Sequence, residues 1–336
     1  MPGHSHSRRI VAALFAALTV SSPTAAQTMR DDFAGPDFAV ENWFPCQRDE
    51  NELSIVAVPD RGFNAAKLLV RPRHDLVASA NPALSLGHAG CRREAEPDYV
   101  AGPFEERAEL WEADAQLLKF GTEVWYRFAM YIDPALAAVR VGRVVIGQWK
   151  QEGGHSPFLA QRFVNGQFVI TIEQDNDAPA SEREDAECRI VIAFSTGYVR
   201  ALRGEFSNLF QALPSRTDTR DSSIAHDQRD AVNGLWSRVD PCARNIEVTR
   251  LNDLPDPVGV WTTMLYHIRA GVDGDGLIEV WADGKPVAQV RGRIGFRDRR
   301  DDAQYFKFGP YRSPAKQSLY ALLARFARGA TRAEVE

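Results

Sequence analysis

The chain has 336 residues, with 40 Lys and Arg against 45 Asp and Glu, a formal net charge of −5 and a 44% share of hydrophobic residues. That length and apolar share provide for one large domain or two smaller ones and exclude a disordered or fibrous chain. The mild negative charge weighs against a nucleic-acid partner, so an acidic ligand requires a local basic patch in place of a global field.

At the N-terminus, Arg8 and Arg9 precede an apolar run from Ile10 to Val20 and the small residues Ser21 to Ala26. This is the order of a secretory signal peptide, residues 1–26, cleaved after Ala26. The run is about half of the roughly 20 apolar residues needed to span a bilayer. A secreted or periplasmic chain with no membrane contact is therefore expected, with one catalytic domain over 27–336. Four cysteines follow, Cys46, Cys91, Cys188 and Cys242. In an oxidising compartment an even count favours disulfides, with neighbours paired as Cys46 to Cys91 and Cys188 to Cys242. No two are close enough for a zinc site.

Strand signals dominate the rest. They cover Leu53 to Val58, Ala66 to Val70, Arg107 to Trp111, Glu123 to Ile132, Val141 to Lys150, Gln167 to Gln174 and Arg189 to Phe194. They resume at Trp261 to Ala270, Leu277 to Ala282, Pro286 to Gly292 and Gln304 to Tyr311. Many short strands and few helices predict an all-β sandwich or jelly roll. Asp283-Gly284 between two such runs predicts a two-residue hairpin. An acidic stretch from Asp175 to Glu187 and a long polar insertion at about 204–257 interrupt the pattern. Leu319 to Phe326 reads either as a helix or as a closing strand.

Three segments carry chemistry. In Gln304 to Arg312, strand alternation puts Tyr305, Lys307 and Tyr311 on one face and Phe306 and Phe308 on the other, while Gly309 leaves room for a bulky ligand. In Glu106 to Leu110, Arg107 and Glu109 share a face opposite Ala108 and Leu110. In Val144 to Lys150, Gln148 and Lys150 fall on one side and Trp149 on the other.

In chain order, these segments resemble the Arg-containing, Gln-containing and Tyr-Phe-Lys-x-Gly-x-Tyr strands of jelly-roll polysaccharide lyases, the group of alginate, glucuronan and heparin lyase I-like enzymes. Trp261, Gly274-Asp275-Gly276 and Val280 to Gly284 are similar to the glucuronan and heparin lyase-like branch. The resemblance runs from about Arg107 to the C-terminus and favours a strand at Leu319 to Phe326. It implies a β-jelly roll with a concave groove for an acidic polysaccharide, acting as a monomer. Two departures weigh against alginate. Lys150 stands where alginate lyases carry a histidine, and Arg312 follows the second tyrosine where an Asn is common.

The implied chemistry is β-elimination at a uronic acid. Gln148, helped by Arg107, would neutralise the sugar carboxylate, and Tyr311 would protonate the leaving oxygen. The base is left open between Tyr311, Lys150 and His155, with Lys150 favoured for binding. Glu109, Tyr305, Lys307, Arg312 and His155 are the expected substrate contacts. No cofactor is required for this chemistry, although the aspartates around Gly274 leave a structural calcium open. Two rival functions remain, a hydrolase using Glu173 and Asp175, and a binding module stacking sugars on Trp111, Trp149 or Tyr305.

Overall fold

Period-two alternation sorts the strand residues into a face that meets another sheet and a face that does not, and two sheets result. In the computed structural model, residues 26–47, 51–72, 106–138, 143–153, 156–164, 166–177, 187–195, 245–312 and 315–336 are described. The first sheet contains β1 (Met29–Asp31), β3 (Leu53–Val58), β4 (Phe63–Val70), β8 (Val124–Ile132), β13 (Ile246–Arg250), β14 (Thr262–Arg269), β15 (Gly271–Ala282), β16 (Lys285–Ile294) and β18 (Leu319–Gly329). Its order is β13-β16-β15-β14-β8-β18-β4-β3, with β1 alongside β18. The second contains β2 (Trp43–Cys46), β5 (Glu106–Arg107), β6 (Glu109–Glu112), β7 (Leu118–Lys119), β9 (Arg143–Gln151), β10 (Leu159–Val164), β11 (Gln167–Asp175), β12 (Glu187–Phe194) and β17 (Ala303–Arg312). Its order is β12-β11-β10-β9-β17-β6-β2, with β5 and β7 also paired to β17. All these pairings are antiparallel, and the fold is a two-sheet β-jelly roll.

Aromatic rings from both sheets fill the space between them. Phe306 of β17 lies 4.7 Å from Trp149 of β9, 5.4 Å from Phe128 of β8 and 5.8 Å from Phe326 of β18, centroid to centroid. Such ring pairs add stabilisation beyond their area and fix the sheets' relative position. Trp149 is therefore core and no sugar platform. A buried polar cluster joins the same two sheets, because Glu112 of β6 holds Arg328 of β18 at 2.8 Å. Burial, and next the Glu112 charge, push the Tyr126 phenol beside them well above its ordinary pKa.

Leu319–Gly329 is a strand, and Asp283 and Gly284 form its sister feature, a tight hairpin in which both residues have positive φ, 48° and 76°. The C-terminal part of the expected polar insertion, at 245–257, is not loop throughout, since Ile246–Arg250 pairs with β16. Cys46 and Cys188 are disulfide-bonded and lie on the two edge strands of the second sheet, too far apart to bond each other. The partners expected for them, Cys91 and Cys242, lie outside the described residues, as do residues 1–25 of the expected signal peptide and His155. Among the described residues no helix is long and apolar enough to cross a membrane.

Candidate active site

The outer face of the second sheet gathers the predicted residues. Strand β17 runs between β9 and β6, with Lys307 opposite both Gln148 and Trp111, and Tyr305 opposite Lys150. Further along, Tyr311 faces Arg107 on one side and Val145 on the other. Opposed residues of an antiparallel pair share a face, so Gln148, Lys150, Tyr305, Lys307, Tyr311 and Arg107 point the same way.

One irregularity makes this possible. Strict alternation back from Gln148 would turn Ile146 and Val144 outward, yet both belong to the core, as Trp149 does. The register against β10 skips Ile146, so Gly147 and Ile146 form a β-bulge that shifts the phase of β9. The bulge leaves Arg143 on the groove side, with its guanidinium 5.7 Å from the Tyr311 ring centroid. Gly147 is required there because an added Cβ would stand 2.3 Å from Gln161 Oε1, and Gln161 is pinned by its 2.7 Å hydrogen bond to the Tyr266 hydroxyl.

A carboxylate organises the centre. Glu109 is fully buried; it accepts from Gln148 Nε2 at 2.6 Å and from Trp111 Nε1 at 3.2 Å, and pairs with Arg107 Nε at 3.2 Å. Arg107 in turn lies 4.4 Å over the Tyr311 ring. The Glu109 and Gln148 side chains meet across β17 between Lys307 and Tyr311, where Gly309 contributes no side chain. The space expected for ligand at Gly309 is thus spanned by protein. Glu109, expected to touch substrate, is instead saturated with donors and repels an anion. Lys307 Nζ lies 3.4 Å over the Trp111 ring and 5.0 Å over Tyr305. Tyr305 and Trp111 are buried together with Cys46, which removes both as open stacking platforms.

Arg312 is a second correction. It faces the core opposite Val144 and is buried in an ion pair with Glu106 at 2.8 Å, with a further hydrogen bond to the Gln317 carbonyl. Its positive charge serves the fold's interior and not the groove. Glu173 and Asp175 do not form a hydrolytic pair either. Both Glu173 oxygens take Arg189, one also takes Arg162, and Asp175 is held by Arg297 at 2.9 Å. Burial, reinforced by Arg189 and Arg143 and opposed by Glu173, pulls the Arg162 pKa down to about 9.

Sequence reasoning missed Arg143, Arg162 and Arg189 as members of this face, and offered Trp111 only as a stacking platform. Trp111 was legible, two residues beyond Glu109 on an alternating strand. Arg143 was not, because the bulge between it and Gln148 reverses the parity. His267 is remote, on the first sheet, stacked 4.1 Å from Trp125 and bonded to Glu123 and Glu279. Asp273, one of the aspartates around Gly274 where a structural calcium was left open, pairs with Arg300 at 2.9 Å. Among the described residues no group of three or more His, Cys, Asp or Glu is placed to hold a metal ion.

An endo-β-1,4-glucuronan lyase from the fungus Trichoderma reesei aligns over 93% of this chain and 98% of its own at 13% identity, with a TM-score of 0.49. A family 7 alginate lyase in complex with substrate aligns over 87% of this chain and 94% of its own, at 10% identity and a TM-score of 0.41. An alginate lyase from Pseudomonas aeruginosa aligns over 86% of this chain and 98% of its own, at 11% identity and a TM-score of 0.39. No curated protein matches in sequence. The polysaccharide lyase family matches residues 85–324, well over half of the length, and the chain belongs to that family of enzymes.

Proposed function

We propose that this enzyme is exported and cleaves a uronate-containing polysaccharide by β-elimination on the outer face of the second sheet. The observation that carries the reading is the connected row Tyr311, Arg107, Glu109 and Gln148 on one face, flanked by Lys307 and Lys150. A proton beside a charged carboxylate is too weakly acidic to leave, so the carboxylate must first be neutralised. The second N–H of Gln148 and the Arg107 guanidinium supply donors for it, in a buried setting where each such donor commonly contributes about 3 kcal/mol to the transition state.

Tyr311 then handles the proton. As phenolate it takes the C5 proton; the C5–H electron pair becomes the C4=C5 double bond, and the C4–O pair departs with the glycosidic oxygen. The phenol returns the same proton to that oxygen, so no other reactant is consumed. Two guanidinium groups against the Tyr311 ring favour its ionised form, which supports Tyr311 over Lys150 as the base. The resemblance to glucuronan and heparin lyase-like enzymes supports a uronate substrate, and Lys150, on the site's face where alginate lyases carry a histidine, weighs against alginate. Incubation with glucuronan, heparin, alginate and hyaluronan, followed by ultraviolet absorbance, tests the reading. An absorbing unsaturated uronate is expected from at least one. New reducing ends without absorbance would replace the lyase with a hydrolase.

A further inference from the structure

We propose that Glu109 is a positioning residue for this reaction and that, through Arg107, it sets the pH range over which Tyr311 works. The inference rests on the reading that Gln148 and Tyr311 act on the sugar. A fully buried carboxylate is an unfavourable neighbour for an anionic substrate, so its presence on this face calls for a reason. Its contacts provide one, since its partners come from three strands, Arg107 on β5, Trp111 on β6 and Gln148 on β9.

The contact with Gln148 fixes that side chain's polarity. A carboxylate only accepts hydrogen bonds, so the Gln148 amide must turn its nitrogen toward Glu109. One N–H is committed there, and the second is left to meet the substrate carboxylate. Without Glu109 the amide is free to rotate and present its carbonyl oxygen to an anion. That is a loss of orientation in the transition state and not of gross binding.

The contact with Arg107 concerns charge. Arg107 lies between Glu109 at 3.2 Å and the Tyr311 ring at 4.4 Å, so the carboxylate offsets part of the positive field felt by the phenol. Among the described residues Arg143 from β9 is a second cation against Tyr311, at 5.7 Å, while the direct neighbour of Tyr311 on β9 is the neutral Val145. Removing the Glu109 charge leaves these cations less balanced. Ionisation of the phenol then becomes easier, and the ascending limb of the kcat profile moves to lower pH.

The test compares Glu109→Gln and Glu109→Asp with the wild-type enzyme, measuring kcat and KM against pH on the polysaccharide cleaved fastest, together with melting temperature. Glu109→Gln is expected to lower kcat about 10-fold or more with KM changed less than about threefold, and to move the ascending limb by roughly half a pH unit downward. Glu109→Asp keeps the charge and shortens the reach, so kcat falls while the limb stays at its wild-type position. Wild-type kcat and limb in Glu109→Gln would overturn the inference, as would a raised KM at unchanged kcat, which marks a direct substrate contact. If Glu109→Gln does not fold, Glu109→Asp decides, since wild-type turnover there removes the positioning role. Gln148→Ala and Tyr311→Phe separate the two levels. Retained turnover in both sinks the functional reading itself, whereas their inactivity beside an unaffected Glu109→Gln sinks only this inference.

Discussion

Tyr311→Phe deletes a hydroxyl and keeps the ring against which Arg107 and Arg143 lie. Packing is preserved, so the melting temperature is expected to stay within a degree or two while turnover falls about 100-fold or more, the usual contribution of a general acid or base. Tyr305→Phe is expected to cost much less, because Tyr305 is buried beside Trp111 and Cys46. Single-turnover rates of the two variants discriminate between them, and equal losses would deny Tyr311 its special place. At this scale the sequence was readable wherever alternation alone decides the face, as for Gln148, Lys307 and Tyr311. It misled at Glu109 and Arg312. A charged residue on a strand looks the same whether it meets ligand or an internal counter-ion, and only the neighbours Gln148 and Glu106 tell which.

The strand β17 depends on a residue with no side chain. Gly309 has φ of 134°, and an added Cβ would lie 2.1 Å from the Ala108 carbonyl oxygen and 2.8 Å from Glu109 Cα. Backbone cannot step aside as a side chain can, so Gly309→Ala is expected to cost about 2 kcal/mol or more, and to displace Arg107 and Glu109 with loss of turnover. Urea denaturation and activity on the same sample check both effects. On the other sheet, burial raises the Glu279 carboxyl, but hydrogen bonds from His267 and Gln289 outweigh this and leave it below the ordinary value. A carboxyl depressed in the fold stabilises above its unfolded pKa of about 4.3, and the benefit disappears as pH falls through the folded value. The melting-temperature gap between the wild-type protein and Glu279→Gln should therefore be present at pH 7 and shrink as the pH is lowered below about 4.3. Among the elements, long alternating strands were legible. The strands β1, β2, β7, β10 and β13 were not, since most have two to five residues, and Leu159–Val164 places Gln161 and Arg162 side by side in its middle.

Across the whole molecule, sheet-to-sheet cohesion combines the aromatic core with the buried Glu112, Arg328 and Tyr126 cluster. Arg328 also donates to the Gln116 carbonyl at 2.8 Å and side chain at 2.7 Å, so it ties both sheets to the turn before β7. Arg328→Met leaves Glu112 buried without its cation and is expected to destabilise by about 3 to 5 kcal/mol. The cluster faces the interior, so the folded fraction should keep its kcat. Denaturation midpoints with kcat normalised to folded enzyme provide the check, and a near-neutral stability change would show that the core tolerates the lone carboxylate. The all-β class was legible from strand spacing at this scale. The pairing of distant strands such as β9 with β17 was not, because it depends on contacts about 150 residues apart in sequence that periodicity cannot report.

The slip at Ile146 and Gly147 also bears on which changes of length this gene can accept. Delete one residue there, and the two halves of β9 can no longer both keep their orientation. If the first half inverts, the Arg143 guanidinium turns into the core and Val144 turns out to the groove. If the second half inverts, Gln148 and Lys150 are swallowed and Trp149 is expelled from among the aromatic rings. Point substitutions at Val145 can leave the site standing, but an insertion or deletion between Arg143 and Lys150 cannot, so variants of this enzyme should differ in length outside this segment.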